Sequence, residues 1–374
     1  MRIAFLLLSG LLSVAVQAAS VPVATFERSY WPEQIDSPAL FDVASRAEIL
    51  AFAQALEASE ALDESALAAR LGLKQINLAS INQVRLRLWQ QLWRNYDLAQ
   101  QSCEQDASFC YAIDGQAELR RQAAKFEVAS DSFYASWAEP SGEFHQRYLN
   151  ELLRKAALFP QTASEIERYS DSERNGDELN DRLFMLTFDS GPGPVGGTDS
   201  LTDYLRRQKL GATFFVLGNS LQMRRDKTSL ADLRALYKGQ CVGIQGWQYR
   251  SHGQWQDWQQ SVLRSQARVQ ADLPDQYVPL FRPPYGQRRA DSGGFFASQG
   301  LHVLLWNIDA QDQGALSAEQ SAQRVLTLML LWRRGVIQFH DVQPTAQDAV
   351  AWLLKQTAQS GIGWEDCRHY AGNI

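Results

Sequence analysis

The stretch Leu183-Phe184-Met185-Leu186-Thr187-Phe188-Asp189-Ser190-Gly191-Pro192 decides the fold of the C-terminal half of this chain. A mostly apolar run continues without a break up to Asp189, and Gly191-Pro192 then ends it. A run of this kind is typical of a strand that is buried on both faces, as in a parallel sheet covered by helices. The helices leave only the strand ends open, so functional side chains gather there. The stretch therefore predicts a buried parallel strand with a carboxylate at its open end.

Three further stretches place ionisable residues where an apolar run stops. Residues 281–286 contain Arg282, residues 304–309 end in Asp309, and residues 335–341 end in His340-Asp341. Because parallel strand ends meet at one edge of a sheet, we expect these charged residues to converge with Asp189. Converging titratable side chains are typical of functional sites, which makes an enzyme the first hypothesis.

Strand-like and helix-like runs alternate along the whole C-terminal half. The predicted strands are 183–188, 213–217, 242–245, a short one near 280, 303–307 and 336–339. The predicted helices are 199–208, 229–237, 254–271, 293–299, 318–333 and 346–360. This alternation predicts an α/β domain with a parallel, barrel-like sheet.

The N-terminal half shows a different periodicity. Between residues 37 and 168 apolar residues recur at steps of three and four, and Ser37-Pro38 is a typical helix start. This pattern predicts an all-α domain whose aromatic residues lie in its core. The predicted organisation is a signal peptide at 1–19, an all-α domain at 20–168, a polar linker at 169–181 and the α/β domain at 182–374.

The first residues predict export. Arg2, an apolar run at 3–12 and small residues up to Ala18-Ala19 have the pattern of a secretory signal peptide. We expect a periplasmic or secreted protein with no membrane segment after cleavage. The net charge of −6 and the absence of a long basic run argue against a nucleic-acid partner.

The four cysteines suit an oxidising compartment. Sequence alone allows three pairings of them. Proximity favours Cys103 with Cys110, and Cys241 with Cys367, the second bond joining the C-terminal tail to the barrel.

Several motifs, taken in order, resemble those of the polysaccharide deacetylase (NodB homology, carbohydrate esterase family 4) domain. The family's first motif, Thr-Phe-Asp-Asp-Gly-Pro, corresponds to 187–192, with Ser190 in place of the second aspartate. Its second, His-x-x-x-His, would fall on 248–252, and its third, Arg-Pro-Pro-Tyr, is intact at 282–285. Its fourth, Asp-x-x-Asp-Trp, corresponds to 309–313, and its fifth ends at His340-Asp341. The resemblance covers roughly 183–361 and implies an incomplete (β/α) barrel of the polysaccharide deacetylase type.

The resemblance also implies a reaction and a set of roles. The reaction is removal of an N-acetyl or O-acetyl group from a glycan, such as peptidoglycan or another envelope polymer. Asp189 would be the general base and His340 the general acid. Arg282 would hold Asp189 ionised, Asp309 would orient His340, and the backbone N–H of Tyr285 would complete the oxyanion site.

Aromatic residues near these motifs are predicted to bind sugar. Aromatic faces stack on the C–H surfaces of sugar rings. The predicted substrate-binding residues are Trp247, Tyr249 and Trp306. Asp312, by contrast, is predicted to be a solvated loop residue.

The metal site is where the sequence departs from the family. A divalent metal, usually zinc, is held there by the second aspartate of the first motif and both histidines of the second. These positions hold Ser190, Gln248 and His252 in this chain. Serine and glutamine are neutral oxygen donors and poor zinc ligands, so His252 is the one predicted metal ligand and a conventional zinc site is not expected.

Three hypotheses about function follow. The first is an exported polysaccharide deacetylase. The second is a catalytically impaired homologue that binds acetylated glycan or a protein partner without turnover. The third assigns the working part to the helical domain and treats the barrel as a scaffold.

Overall fold

A computed structural model describes residues 23–193 and 196–374. The predicted signal peptide, residues 1–19, lies outside the described residues. Within the described ranges no helix combines the length and the apolar character that crossing a membrane requires.

The C-terminal region is built on one parallel sheet. Its strands are β1 (Leu183–Asp189), β2 (Thr213–Val216), β3 (Cys241–Ile244), β4 (Tyr277–Phe281), β5 (His302–Val303), β6 (Ile308–Asp309), β7 (Gly335–His340) and β8 (Gly363–Trp364). They lie in the order β5-β4-β3-β2-β1-β7-β6, and β8 pairs with the start of β1. The described strands do not join β5 to β6, so the barrel is incomplete, and the predicted fold class is confirmed.

The register brings strand ends to one level. In β1, Asp189 lies opposite Phe215 of β2 on one side and His340 of β7 on the other. Arg282 directly follows β4, and its backbone N–H donates to the carbonyl of Ile244 in β3. The strand-end residues therefore meet at the open edge of the sheet.

Helices cover the sheet and form the N-terminal region. The N-terminal helices are α1 (Pro38–Glu60), α2 (Glu64–Arg70), α3 (Leu78–Ala99), α4 (Gln116–Ala124) and α5 (Ala135–Ala157). The barrel helices are α6 (Gly197–Arg207), α7 (Gly218–Lys227), α8 (Leu230–Leu236), α9 (Trp258–Asp272), α10 (Gly293–Ser298), α11 (Ala318–Trp332), α12 (Thr345–Gln356) and α13 (Cys367–Gly372). As predicted, α1 begins at Ser37-Pro38, where the Ser37 hydroxyl accepts the backbone N–H of Leu40.

Several details differ from the predicted elements, and strand β8 and helix α13 at the C-terminal end were not predicted. Helix α7 was not predicted, because its sequence is mostly polar and lacks the apolar period. The predicted strand 303–307 is interrupted instead of continuous. There the Asn307 side chain accepts the backbone N–H of Val336 at 3.0 Å and donates to the carbonyl of Arg334 at 3.1 Å, which takes the place of backbone pairing.

The helical region packs directly on the barrel. Phe41 and Leu50 of α1 share one hydrophobic core with Leu330 of α11. The fully buried Arg333 forms ion pairs with Asp42 at 2.8 Å and with Asp181 at 2.7 Å. Both disulfides favoured by proximity are present, Cys103–Cys110 and Cys241–Cys367, and the second joins the start of β3 to α13.

Candidate functional site

Asp189 and Arg282 form a fully buried ion pair at the open edge of the sheet. The Arg282 Nη1 donates to Asp189 Oδ1 at 2.9 Å and to the Thr187 hydroxyl at 2.7 Å. Its other nitrogens donate to the backbone carbonyls of Leu304 at 2.9 Å and Leu305 at 3.0 Å. Burial lowers the pKa of Arg282 and Asp189 partly restores it, so the guanidinium stays charged. The expected convergence of β1 and β4 is confirmed.

Two glutamines also bind the Asp189 carboxylate. The side-chain amides of Gln338 and Gln245 both donate to Oδ2, at 2.7 Å and 3.1 Å. The Gln245 carbonyl oxygen in turn accepts the Ser190 hydroxyl at 3.2 Å. A carboxylate has about four acceptor positions, and donors fixed in the protein engage three of them. A water molecule that Asp189 is to deprotonate has to compete with these donors.

Sequence reasoning missed both glutamines, although a signal existed for one of them. Gln338 precedes His340 by two residues in β7, so the two side chains lie on the same face of the strand. Gln245 directly follows β3, where loop geometry sets the direction of the side chain.

His340 is oriented by Asp312. The His340 Nδ1 lies 2.8 Å from Asp312 Oδ1, and the backbone N–H of His340 donates to Asp312 Oδ2 at 2.8 Å. Asp309 instead accepts the backbone N–H and side-chain amide of Gln311. The predicted pairing of Asp309 with His340 is therefore wrong, and so is the prediction that Asp312 is solvated, since it is 3% exposed. The positive φ of Gln311, 55°, is part of the turn that brings Asp312 back toward β7.

Replacing Asp312 with asparagine is expected to lower the pKa of His340 below its usual value. Burial lowers the pKa of His340, but the hydrogen bond and charge of Asp312, with smaller contributions from the charges of Asp189 and Asp309, outweigh burial and raise it. In the wild type this raised pKa stabilises the fold below pH about 6.5, and the contribution is lost as pH rises through the pKa of the folded state. A histidine-selective NMR titration measures the change. Asp309→Asn is the control, and an equal effect of both variants would contradict the assignment to Asp312.

His252 lies outside this site. Its Nδ1 is 2.9 Å from the carbonyl of Arg250, its Nε2 is 3.1 Å from the Ser261 hydroxyl, and its ring packs on Phe281. Burial lowers the pKa of His252 to about 4. Gly246, with a φ of +96°, makes room for this ring, because a Cβ there would lie 2.6 Å from it. The prediction of His252 as a metal ligand is therefore wrong.

Gln248, which the sequence aligns with a metal-ligand position of the family, does not lie beside Ser190 in the structure. The Gln248 side chain is exposed, whereas Gln245 lies beside Ser190 at the end of β3. Tyr249 is the next residue of this loop near the carboxylate, and burial together with Asp189 raises its pKa. Ser190 and Gln245 thus lie beside the Asp189 carboxylate, and Tyr249 follows in the same loop and pairs with Tyr285.

This donor set does not fit zinc. A hydroxyl, an amide and a protonated phenol are neutral groups, whereas zinc sites use imidazole, thiolate and carboxylate. In the part of the chain that the structure describes, no group of three or more His, Cys, Asp or Glu side chains is arranged to hold a metal.

The predicted sugar-binding aromatics have different environments. Trp306 is 5% exposed and lies in the barrel core with its ring 5.4 Å from the Arg282 guanidinium, so it has no open face for a sugar. Trp247 is half-buried, with the Arg264 guanidinium 3.4 Å from its ring centroid. Tyr249 and Tyr285 form an aromatic pair at 4.6 Å. Tyr285 is 51% exposed and has a φ of 60°.

Asp341 holds the loop after β1 against β7. Its Oδ2 accepts the Thr198 hydroxyl at 2.9 Å, and that hydroxyl accepts the backbone N–H of Gly193 at 2.8 Å. Gly191 is required here, because a Cβ would lie 1.9 Å from this carboxylate. Burial raises the pKa of Asp341 to about 7.

The stability of the fold is therefore expected to fall between pH 4 and pH 7 through Asp341. The folded state binds this proton more tightly than the unfolded chain, so the contribution is fully present below pH about 4 and lost as pH rises through about 7. Asp341→Asn keeps an oxygen for Thr198 without the charge. It is expected to gain stability over the wild type, on the order of a few kcal/mol at pH 8 and little at pH 4. Urea unfolding across this range measures the difference, with the exposed Asp291→Asn as control. Parallel pH profiles for wild type and Asp341→Asn would contradict the assignment.

Fold and site together define a class. A parallel half-barrel with a buried carboxylate, an arginine and an aspartate-paired histidine at its strand ends is an incomplete (β/α) barrel with a candidate active site at its open edge. Residues 176–304 match the family model described as polysaccharide deacetylase, and the C-terminal region is a polysaccharide deacetylase domain.

Curated relatives agree with this assignment. The chain is 29% identical over 186 residues to the peptidoglycan-N-acetylmuramic acid deacetylase PdaC of Bacillus subtilis, a match that covers 49% of this chain and 37% of that protein. It is 27% identical over 211 residues to a peptidoglycan-N-acetylglucosamine deacetylase of Bacillus cereus, covering 54% of this chain and 74% of the relative. The chain thus spans well under half the length of the first of these proteins.

Two solved structures align with about half of this chain. The Bc1960 peptidoglycan N-acetylglucosamine deacetylase aligns with a TM-score of 0.47 at 19% identity, over 53% of this chain and 92% of that one. A family 4 carbohydrate esterase from Streptomyces lividans, in complex with acetate, aligns with a TM-score of 0.42 at 26% identity, over 48% and 90%.

Proposed function

We propose that this protein binds an acetylated envelope glycan, such as peptidoglycan, in its strand-end site without metal-assisted deacetylation. The substrate class is suggested by the curated relatives, which act on peptidoglycan. One observation carries the proposal. Asp189 accepts from Arg282, Gln245 and Gln338, and the residues next to this network, Ser190 and Gln245, are neutral.

Deacetylation needs a metal ion and an accessible base, and this site lacks suitable ligands for the first and engages the second in hydrogen bonds. Hydrolysis of an amide requires an activated water, a base for its proton, an acid for the leaving amine and stabilisation of the oxyanion. In the family the zinc ion supplies Lewis acidity, but the residues present do not fit it. Asp189 is held by three fixed donors, so a water molecule has to compete with them for the carboxylate oxygens.

The same groups suit binding. Sugar hydroxyls and an acetamido group both donate and accept hydrogen bonds, and neutral side chains match them without leaving a charge unpaired. Tyr249 and Tyr285 form an aromatic pair, and the exposed ring of Tyr285 can stack on a sugar. His340, with Nδ1 engaged by Asp312, has Nε2 left for a ligand.

The His340–Asp312 pair favours one other candidate function, a residual hydrolase. An oriented imidazole with a raised pKa is suited to protonate a leaving amine. In that case Asp189 would be the base, His340 the acid, and the backbone N–H of Tyr285 would face the oxyanion.

One experiment distinguishes the two functions. The protein is incubated with N-acetylglucosamine oligomers and with purified peptidoglycan, with and without added zinc, while bound glycan and released acetate are measured. Binding is expected, with acetate release no greater than that of a His340→Ala variant. Acetate release that depends on His340 would overturn the proposal in favour of the hydrolase, and the absence of binding would overturn the binding function. Export to the periplasm stays a prediction, tested by cell fractionation.

A further inference from the structure

A groove lies between the helical region and the loops after β3 and β4, and we call it the rim groove. It has a volume of about 460 Å³ and three walls: residues 159–163 with Tyr169 from the helical region, Ser251, Gly253 and Gln254 from the loop after β3, and residues 287–291 from the loop after β4. The two barrel walls belong to the same loops that carry Gln245 and Arg282 into the site. The Tyr249–Tyr285 ring contact, at 4.6 Å, joins these two loops.

The helical wall is fixed to the barrel. The Arg288 guanidinium donates to Glu173 at 2.8 Å, to the carbonyl of Ser164 at 2.9 Å and to the carbonyl of Glu167 at 2.5 Å. The backbone of Gly286 lies so close to Glu165 that a Cβ would be 2.7 Å from its nitrogen. A groove whose walls are preformed binds a ligand at a smaller entropic cost.

The charges of the rim groove are paired within the protein. Arg288 is 2% exposed and bound to Glu173, and Arg289 pairs with Asp291 at 3.0 Å. A polyanion or a polycation therefore finds no unpaired counter-charge in this groove. The expected ligand is neutral.

The remaining lining consists of aromatic rings and neutral polar groups. Phe159 and Tyr169 lie 5.9 Å apart, and Gln161, Thr162 and Gln254 supply amides and a hydroxyl. Aromatic faces beside amides and hydroxyls match the C–H faces and hydroxyls of sugars. The volume lies in the usual range for small-ligand sites, about 300–1,000 Å³.

We propose that the rim groove binds the neighbouring sugars of the glycan chain held in the strand-end site. This inference rests on the proposed function and gives the helical region a share in recognition. It predicts that affinity rises with the number of sugars, because each added contact multiplies the binding constant by about five-fold.

The test is isothermal titration of the full chain with N-acetylglucosamine and with its β-1,4-linked pentamer. The wild type is expected to bind the pentamer about 30-fold or more tightly than the monomer, as two or more additional contacts imply. Gln161→Ala/Gln254→Ala removes two exposed side chains on two of the walls and should reduce this ratio by about 25-fold, five-fold for each contact, with monomer affinity unchanged. Gln101→Ala/Gln105→Ala, also at exposed positions and outside the groove, is the matched control and should keep the ratio.

The outcomes separate the two proposals. Monomer and pentamer affinities that are equal, or a ratio that the groove variant leaves intact, would overturn the rim groove while the strand-end site stands. Failure of both sugars to bind would overturn the proposed function, and the rim groove with it.

Discussion

Arg282→Met is expected to lower the free energy of unfolding by about 3–5 kcal/mol, because it leaves a buried carboxylate without its counter-charge. Asp189 and Arg282 are both fully buried. The change also removes the donors for the carbonyls of Leu304 and Leu305. Urea unfolding followed by circular dichroism measures the loss.

Two further variants make this result specific. Arg282→Met/Asp189→Asn replaces the unpaired charge by an amide and is expected to recover part of the loss. Arg289→Met, at an exposed arginine paired with Asp291, is expected to leave stability nearly unchanged. Equal losses for Arg282→Met and the double variant would show that the buried charge of Asp189 is not the cause.

Ser190→Asp/Gln245→His/Tyr249→His is expected to bind about one equivalent of zinc, whereas the wild type is expected to retain none. The variant introduces a carboxylate at Ser190 and imidazoles at Gln245 and Tyr249, the ligand types that catalytic zinc sites use. Gln245→His also removes one of the amide donors to Asp189 Oδ2. Elemental mass spectrometry after dialysis against zinc measures the metal content.

The matched control tests where the second motif lies. Ser190→Asp/Gln248→His keeps His252 and builds the site in the register read from the sequence. It is expected to bind no zinc, because Gln248 is exposed and both nitrogens of His252 are engaged by Arg250 and Ser261. Zinc uptake by this control and not by the first variant would restore the sequence register and contradict the site described above.

Much of the site was predictable because its main residues terminate strands. The approach of Asp189 to Arg282 and to His340 follows from buried apolar runs that end in charge, and the register of β1 with β7 confirms it. Both disulfides were favoured by the separation of the cysteines and the positions of their elements.

The errors lie in the loops. Asp309 and Asp312 are close in sequence, and the turn at Gln311 decides which of them reaches His340. Gln245 and Gln248 differ in the same way, because Gln245 directly follows β3 and Gln248 lies on an exposed turn. A spacing pattern gives no direction to a side chain in a loop, since that direction depends on backbone torsions set by long-range contacts.

The sequence by itself therefore determined the parallel half-barrel, the helical N-terminal region and the meeting of Asp189, Arg282 and His340 at one edge. Apolar runs and the charged residues that end them are local features of the sequence. The apolar residues are buried and the charged ends stay at the sheet edge whatever conformation the loops adopt. Only the tertiary structure decided that Gln245 and Gln338 bind the Asp189 carboxylate, that His252 packs in the core, and that Asp312 holds His340. These contacts join residues far apart in the chain, and hydrogen bonds of short range and strict geometry select their partners only after the fold has formed.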